Sequence, residues 1–163
     1  MGLDSTFLEK TGSFQISRIV IGKLKIGVDL LEGVKELVIK EGIRSGVFLS
    51  GLGALQKAVF RNPKVMPADF KMRDEYRLFV EINRPLEMVS FPGWIATREN
   101  GEPEIHAHFT ASTVMNDQIV TLGGHLIPGT ITSIKCAVII GVIEDSRIKA
   151  ALDPNVNQME IFF

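Results

Sequence analysis

Residues Glu104 to Ala111 alternate without a break. Ile105, Ala107, Phe109 and Ala111 are apolar, and Glu104, His106, His108 and Thr110 stand between them. A period of two belongs to a β-strand with one buried face. The apolar set must face a core. The other set then faces a cleft, solvent or a subunit interface, and it carries two of the chain's three histidines.

The rest of the chain supplies elements to pack against that strand. Phe14 to Ile21 reads as a first strand. Asp29 to Glu41 reads as the main helix: Asp29 is a suitable N-cap, Glu32 follows three residues later, and Leu30, Leu31, Val34, Leu37 and Val38 share one face. Gly42 is the expected stop. Gly46 to Ser50 and Leu55 to Phe60 read as two strands joined by a tight turn at Gly51-Leu52-Gly53-Ala54. Asn62 to Arg73 reads as a loop. Further strands are expected over Leu78 to Ile82, Leu86 to Phe91, Trp94 to Arg98, Gln118 to Leu122, Ile131 to Ile143 and Gln158 to Phe163, with a short second helix near Arg147 to Leu152. Asn100-Gly101 carries the signature of a type I′ turn. These elements describe an α+β fold, with a largely antiparallel β-sheet and one main helix.

Its 163 residues suit one domain, 1–163, with its core at about 14–143. Apolar residues at 45% and charged residues at 23% are the balance of a folded chain rather than a disordered one. Lys plus Arg number 18 against 19 for Asp plus Glu, so no surplus of positive charge speaks for phosphate-backbone binding. The lone Cys136 lies in an apolar run, reads as a small core residue, and fits a reducing, cytoplasmic setting. No signal peptide and no membrane span is expected. Met1 to Thr6 matches the N-myristoylation pattern, which is too short to carry weight.

Two histidines at i and i+2 on a strand project the same way, roughly 7 Å apart at their roots. Both imidazoles can then reach one ion at a Zn–N distance of about 2.0–2.1 Å. A two-residue turn at Asn116-Asp117 would set His125 directly opposite His108, on the same face. A one-residue slip would move it to the other face, unless a bulge at Gly123-Gly124 restored it. His106, His108 and His125 thus form a candidate metal site, with zinc as the expected ion. Three protein ligands would leave a tetrahedral position open, as in catalytic zinc sites, where a bound water is acidified or a carbonyl polarised.

Other candidates carry less. Glu104 shares the histidine face and would serve as a general acid or base, or as a partner to a ligand imidazole. Glu87 has no such placement. Ser50 to Ala54 lacks the full phosphate-loop pattern. Phe91, Pro92 and Trp94 would line a pocket or a subunit contact, or fill core. Arg18 and Arg98 would suit a carboxylate, but nothing in their spacing joins them to the histidines.

Several segments in order resemble the PPC domain (plants and prokaryotes conserved). They are Gly27-Val28-Asp29-Leu30, Ser50 to Leu55, Leu86 to Gly93, His106-Ala107-His108, and Gly123-Gly124-His125-Leu126-Ile127-Pro128-Gly129. The resemblance covers roughly residues 14 to 143. It implies an α+β fold, a homotrimer, and zinc on His106, His108 and His125, as in some prokaryotic members. It also implies a likeness to acetolactate decarboxylase, which uses a three-histidine metal site. Prokaryotic members are often described as predicted DNA-binding proteins. This chain has no Arg-Gly-Arg-Pro AT-hook, and it has Ala137 where members often carry a glutamate. Two functions follow as expectations. One is a trimeric zinc protein acting on a small carbonyl or carboxylate compound. The other is a DNA-binding or regulatory trimer using basic residues such as Lys23, Lys25, Arg61 and Lys64.

Overall fold

The computed structural model describes residues 7–163, so the Met1 to Thr6 pattern lies outside the described residues. The described residues form eleven strands and one α-helix: β1 Arg18–Lys23, α1 Leu30–Lys40, β2 Gly46–Pro63, β3 Arg77–Ile82, β4 Leu86–Ser90, β5 Gly93–Arg98, β6 Pro103–Met115, β7 Gln118–Leu126, β8 Ile131–Thr132, β9 Ala137–Val142, β10 Lys149–Asp153 and β11 Gln158–Phe162. A short 3-10 turn, Asp74–Tyr76, precedes β3. All pairings are antiparallel except that of β10 with β5. This is the expected α+β domain, and among the described residues no helix is long and apolar enough to cross a membrane.

The helix forms where its periodicity and cap place it. The Asp29 carboxylate accepts the Glu32 N–H at 3.1 Å, and its other oxygen accepts the Gly129 N–H. That second bond ties the helix start to the loop after β7. Leu30, Val34 and Val38 are fully buried in the main core, and Gly42 follows the helix with φ +62°.

Strand β2 departs most from expectation. No turn interrupts it at Gly51-Leu52-Gly53-Ala54; the chain continues for 18 residues. The glycines there answer to close neighbours. A Cβ on Gly51 would lie 2.5 Å from the Phe91 Cβ, and one on Gly53 would lie 2.6 Å from the Lys135 carbonyl oxygen. Its first half pairs with β9 and β5, and its second with β3, β4, β7 and β8. The pairings β2–β4–β6–β7–β2 therefore close into a ring.

Other boundaries also shift. The first strand starts at Arg18 rather than Phe14. The run from Ile131 to Ile143 is broken between β8 and β9, where Lys135 takes φ +57°. The segment read as a second helix is strand β10, held between β5 and β11. Pairing on both sides supplies backbone partners that six residues of helix propensity cannot match. The turn at Asn100-Gly101 forms, but as a three-residue loop: Gly101 alone has positive φ, and the Arg98 N–H donates to the Glu102 carbonyl at 2.8 Å. Both residues at Asn116-Asp117 have positive φ, 49° and 58°, so the type I′ turn lies there. A second, smaller core gathers Ala96, Ile148 and Ala150 with Phe14, Trp94 and Phe163.

Candidate metal centre

Strand β6 shows the alternation its sequence dictates. Ala107, Phe109 and Ala111 are buried, while His108 is exposed and His106 half-buried. The Asn116-Asp117 turn sets the β6–β7 register without a slip, so His108 faces His125, Phe109 faces Gly124 and Thr110 faces Gly123. No bulge is needed. The two glycines serve a different purpose: a Cβ on Gly123 would meet the Thr110 methyl at 2.8 Å, and one on Gly124 the Asn62 amide at 2.8 Å. Asn62 then donates to the Gly123 carbonyl at 2.8 Å, fastening β7 to β2 just before His125.

The three rings converge. Their centroids are 4.8–5.3 Å apart, and one nitrogen from each lies within 4.8 Å of the others. His125 Nδ1 and His108 Nε2 are 3.3 Å apart. Two nitrogens on one tetrahedral zinc, each about 2.0–2.1 Å from it, stand roughly 3.3–3.4 Å from each other. The donor set fits a divalent ion. His106 is further braced by Trp94, its partner across β5, whose indole stacks on the imidazole at 5.1 Å and 17°. Trp94 packs in turn on the second core, so the C-terminal hairpin backs the site.

Electrostatics favour neutral imidazoles, the form that binds metal. Burial lowers the pKa of all three histidines. His125 falls to about 3, because burial is reinforced by the Arg61 charge and then by the other two histidines. At His106 the Glu104 carboxylate partly opposes the effect of burial. A pH dependence follows for the metal-free protein. Below the ordinary histidine pKa of 6.5 the unfolded chain takes up protons that the folded chain does not. These groups therefore leave stability intact above about pH 6.5 and erode it as pH falls toward 3. Denaturant titrations of chelator-treated protein should show lower stability at pH 5 than at pH 7.5. A His125→Ala variant should show a smaller difference between the two.

The remaining candidates are placed as follows. Glu104 is near the site, but Arg98 holds its carboxylate. That pairing also commits Arg98. Arg18 pairs with Glu41 at 3.3 Å, away from the histidines. Phe91 is core, edge-on to Phe48, and the Pro92 carbonyl accepts the His108 N–H at 2.9 Å. Burial pushes the Cys136 thiol up to about 11, which makes it a packing group rather than a nucleophile. Glu87 lies on β4, paired with Ala54 and Ser112.

Sequence reading placed Arg61 only in a surface basic group. In the structure it stands directly opposite His125 on β2, half-buried, and its charge acts on all three imidazoles. The local signal was present, since Phe60 points inward and Arg61 must then point outward. Which strand lies beside it is a long-range fact.

A family model for the Plants and Prokaryotes Conserved (PCC) domain matches residues 11–144. Comparison with curated proteins finds no match. Among solved structures, a metal-containing protein from Archaeoglobus fulgidus is similar at TM-score 0.76 and 20% identity, over 94% of this chain and 99% of that one. A plant- and prokaryote-conserved protein from Pyrococcus horikoshii is similar at TM-score 0.72 and 22% identity, over 94% and 96%. A candidate DNA-binding protein from Bacteroides thetaiotaomicron follows at TM-score 0.70 and 20% identity, over 93% and 96%. At these identities the likeness is one of fold.

Proposed function

Because this chain belongs to the Plants and Prokaryotes Conserved (PCC) domain family and brings three neutral imidazoles to one point, we propose that it binds one zinc ion through His106, His108 and His125. The observation that carries this reading is the 3.3 Å separation of His125 Nδ1 and His108 Nε2, with a nitrogen of the third ring, His106, within 4.8 Å of both. The metal content named for the Archaeoglobus fulgidus relative supports it. When bound, zinc supplies Lewis acidity at the position that three ligands leave open. The exposed side of His108 is where a small carbonyl or carboxylate compound would enter. Glu104 is taken by Arg98, and Ala137 carries no carboxylate, so the role assigned to the site is activation of such a compound by the metal.

The working unit is a homotrimer in this reading. The family resemblance supports it, and so does the outer face of β1, β9 and β2, where Ile19, Ile21, Leu49 and Leu52 are exposed together. Such a surface suits burial against other copies. The single buried thiol agrees with a reducing cytoplasm.

Metal analysis of protein purified without added zinc tests the reading. About one equivalent per chain is expected, as a three-ligand site within one chain requires. Less than about a third of an equivalent, with no further loss in His108→Ala, would sink it. A DNA-binding trimer is the second reading, favoured by the Bacteroides thetaiotaomicron relative. Arg61 faces the histidines, which leaves Lys23, Lys25 and Lys64 as its basic candidates. Absence of salt-sensitive DNA affinity at low ionic strength would remove it.

A further inference from the structure

We propose that Arg61 makes the histidine centre a receptor for a small carboxylate, one end held by the guanidinium and the other directed to the metal. This rests on the metal reading above, narrows its small-molecule ligand to a carboxylate and adds the residue that holds it.

The geometry begins with register. Across the sheet, Phe79 of β3, Arg61 of β2, His125 of β7 and His108 of β6 stand in one row of directly paired residues. Their neighbours one position along, Phe60 and Leu126, are buried in the core. Arg61 and the imidazoles therefore share the opposite face. Adjacent strands are about 4.8 Å apart, so an acid of two or three carbons spans the gap between guanidinium and imidazoles. Phe79 bounds the row on one side, and Trp94, stacked on His106, bounds the ligand cluster on another.

Charge makes the same point. Arg61 is half-buried and, among the described residues, its guanidinium makes no hydrogen bond and no ion pair. The nearby acids are committed: Asp74 pairs with Arg77 at 2.6 Å, and Glu104 pairs with Arg98. Three neutral imidazoles would not offset a dication. The loaded centre would thus carry an excess of positive charge that the nearby acids among the described residues, each already paired with an arginine, do not balance. A partly desolvated guanidinium without a partner is costly, and an arriving anion relieves that cost. A guanidinium presents parallel N–H donors that match a carboxylate bidentately, which a lysine in its place would not.

The test uses the full chain loaded with cobalt(II), whose visible bands report on its ligands. Cobalt content is measured first. Glycolate is then titrated, with ethylene glycol as the uncharged comparator and inorganic phosphate as the competing anion. The expected result is a saturable band shift with glycolate, little response to ethylene glycol, and weaker binding of phosphate. Arg61→Gln should keep its cobalt and weaken glycolate by at least about tenfold, since a charge-assisted hydrogen bond is lost. Arg61→Lys should fall between, and it serves if Arg61→Gln does not fold. Failure to take up cobalt would overturn the metal reading and this one together. Cobalt uptake overturns the carboxylate assignment alone if it comes with no glycolate response, with ethylene glycol or phosphate binding as tightly, or with Arg61 variants that bind glycolate as the parent does.

Discussion

Replacing His125 with alanine should weaken zinc binding by more than about 100-fold, beyond the 10- to 100-fold typical of losing a residue that only supports a ligand. The imidazole faces away from the core, and the buried neighbours that hold β7 in register, Gly124 and Leu126, are untouched. The metal-free variant should therefore melt close to the metal-free parent. Zinc at the proposed site should separate the two proteins. At an ion concentration about 1,000 times its Kd, binding stabilises the parent by about 4 kcal/mol, or roughly 10 °C in a chain of this size. The variant should show almost none of that rise. Competition against a chelator of known affinity, together with paired melting curves, measures both quantities. A variant that binds zinc as tightly as the parent would remove the histidine cluster from consideration.

Gly53→Ala should be among the most destabilising single substitutions in the chain, costing about 3 kcal/mol or more. Gly53 takes φ +132°, which an alanine reaches only with strain. Its Cβ would also fall on backbone: 2.6 Å from the Lys135 carbonyl oxygen, 2.7 Å from the Cys136 nitrogen, and closer still to the Cys136 Cα. Backbone atoms of a turn held by the Ala54 N–H to the Ile134 carbonyl and the Leu24 N–H to the Cys136 carbonyl cannot step aside as a flexible side chain can. The damage would spread to β9, which is registered against β2 through Leu52 and Ala137. Gly101→Ala isolates the conformational part, because Gly101 also has positive φ, +85°, but has nothing within 4 Å of its missing Cβ. That variant should lose only about 1 kcal/mol. Denaturant midpoints for the two, measured side by side, decide the matter. Equal losses would mean that close approach is not why Gly53 is glycine.

The contrast between these two sites shows how much could be read from the chain. The histidine centre is local. His106 and His108 are two residues apart on one strand, and His125 reaches them across a two-residue turn whose φ values, 49° and 58°, fix the register. Pleat and turn chemistry decide all of that within twenty residues. The helix was legible for the same reason, since Asp29 and the apolar spacing act over one or two turns.

Misreadings occur where a distant neighbour sets the outcome. Gly51-Leu52-Gly53-Ala54 has turn composition, yet it runs straight through β2, where Phe91, just after β4, and Cys136, just before β9, press against it. Lys149 to Leu152 could have continued a helix, and became strand because β5 and β11 offer hydrogen-bonding edges on either side. Glu104 was correctly placed on the histidine face, but its commitment to Arg98 became visible only with the β5–β6 hairpin formed.

By itself, then, the sequence determined the fold class, the main helix, the buried face of β6 and the meeting of three imidazoles, because each depends on spacing within a strand, a helix or a hairpin. The tertiary structure alone decided that Arg61 stands beside His125. The two are 64 positions apart, and only closure of the β2–β4–β6–β7 ring brings their strands together. It also decided that Trp94 is anchored by the C-terminal hairpin while it braces His106. Such pairings depend on the packing of the whole sheet, which no local pattern encodes.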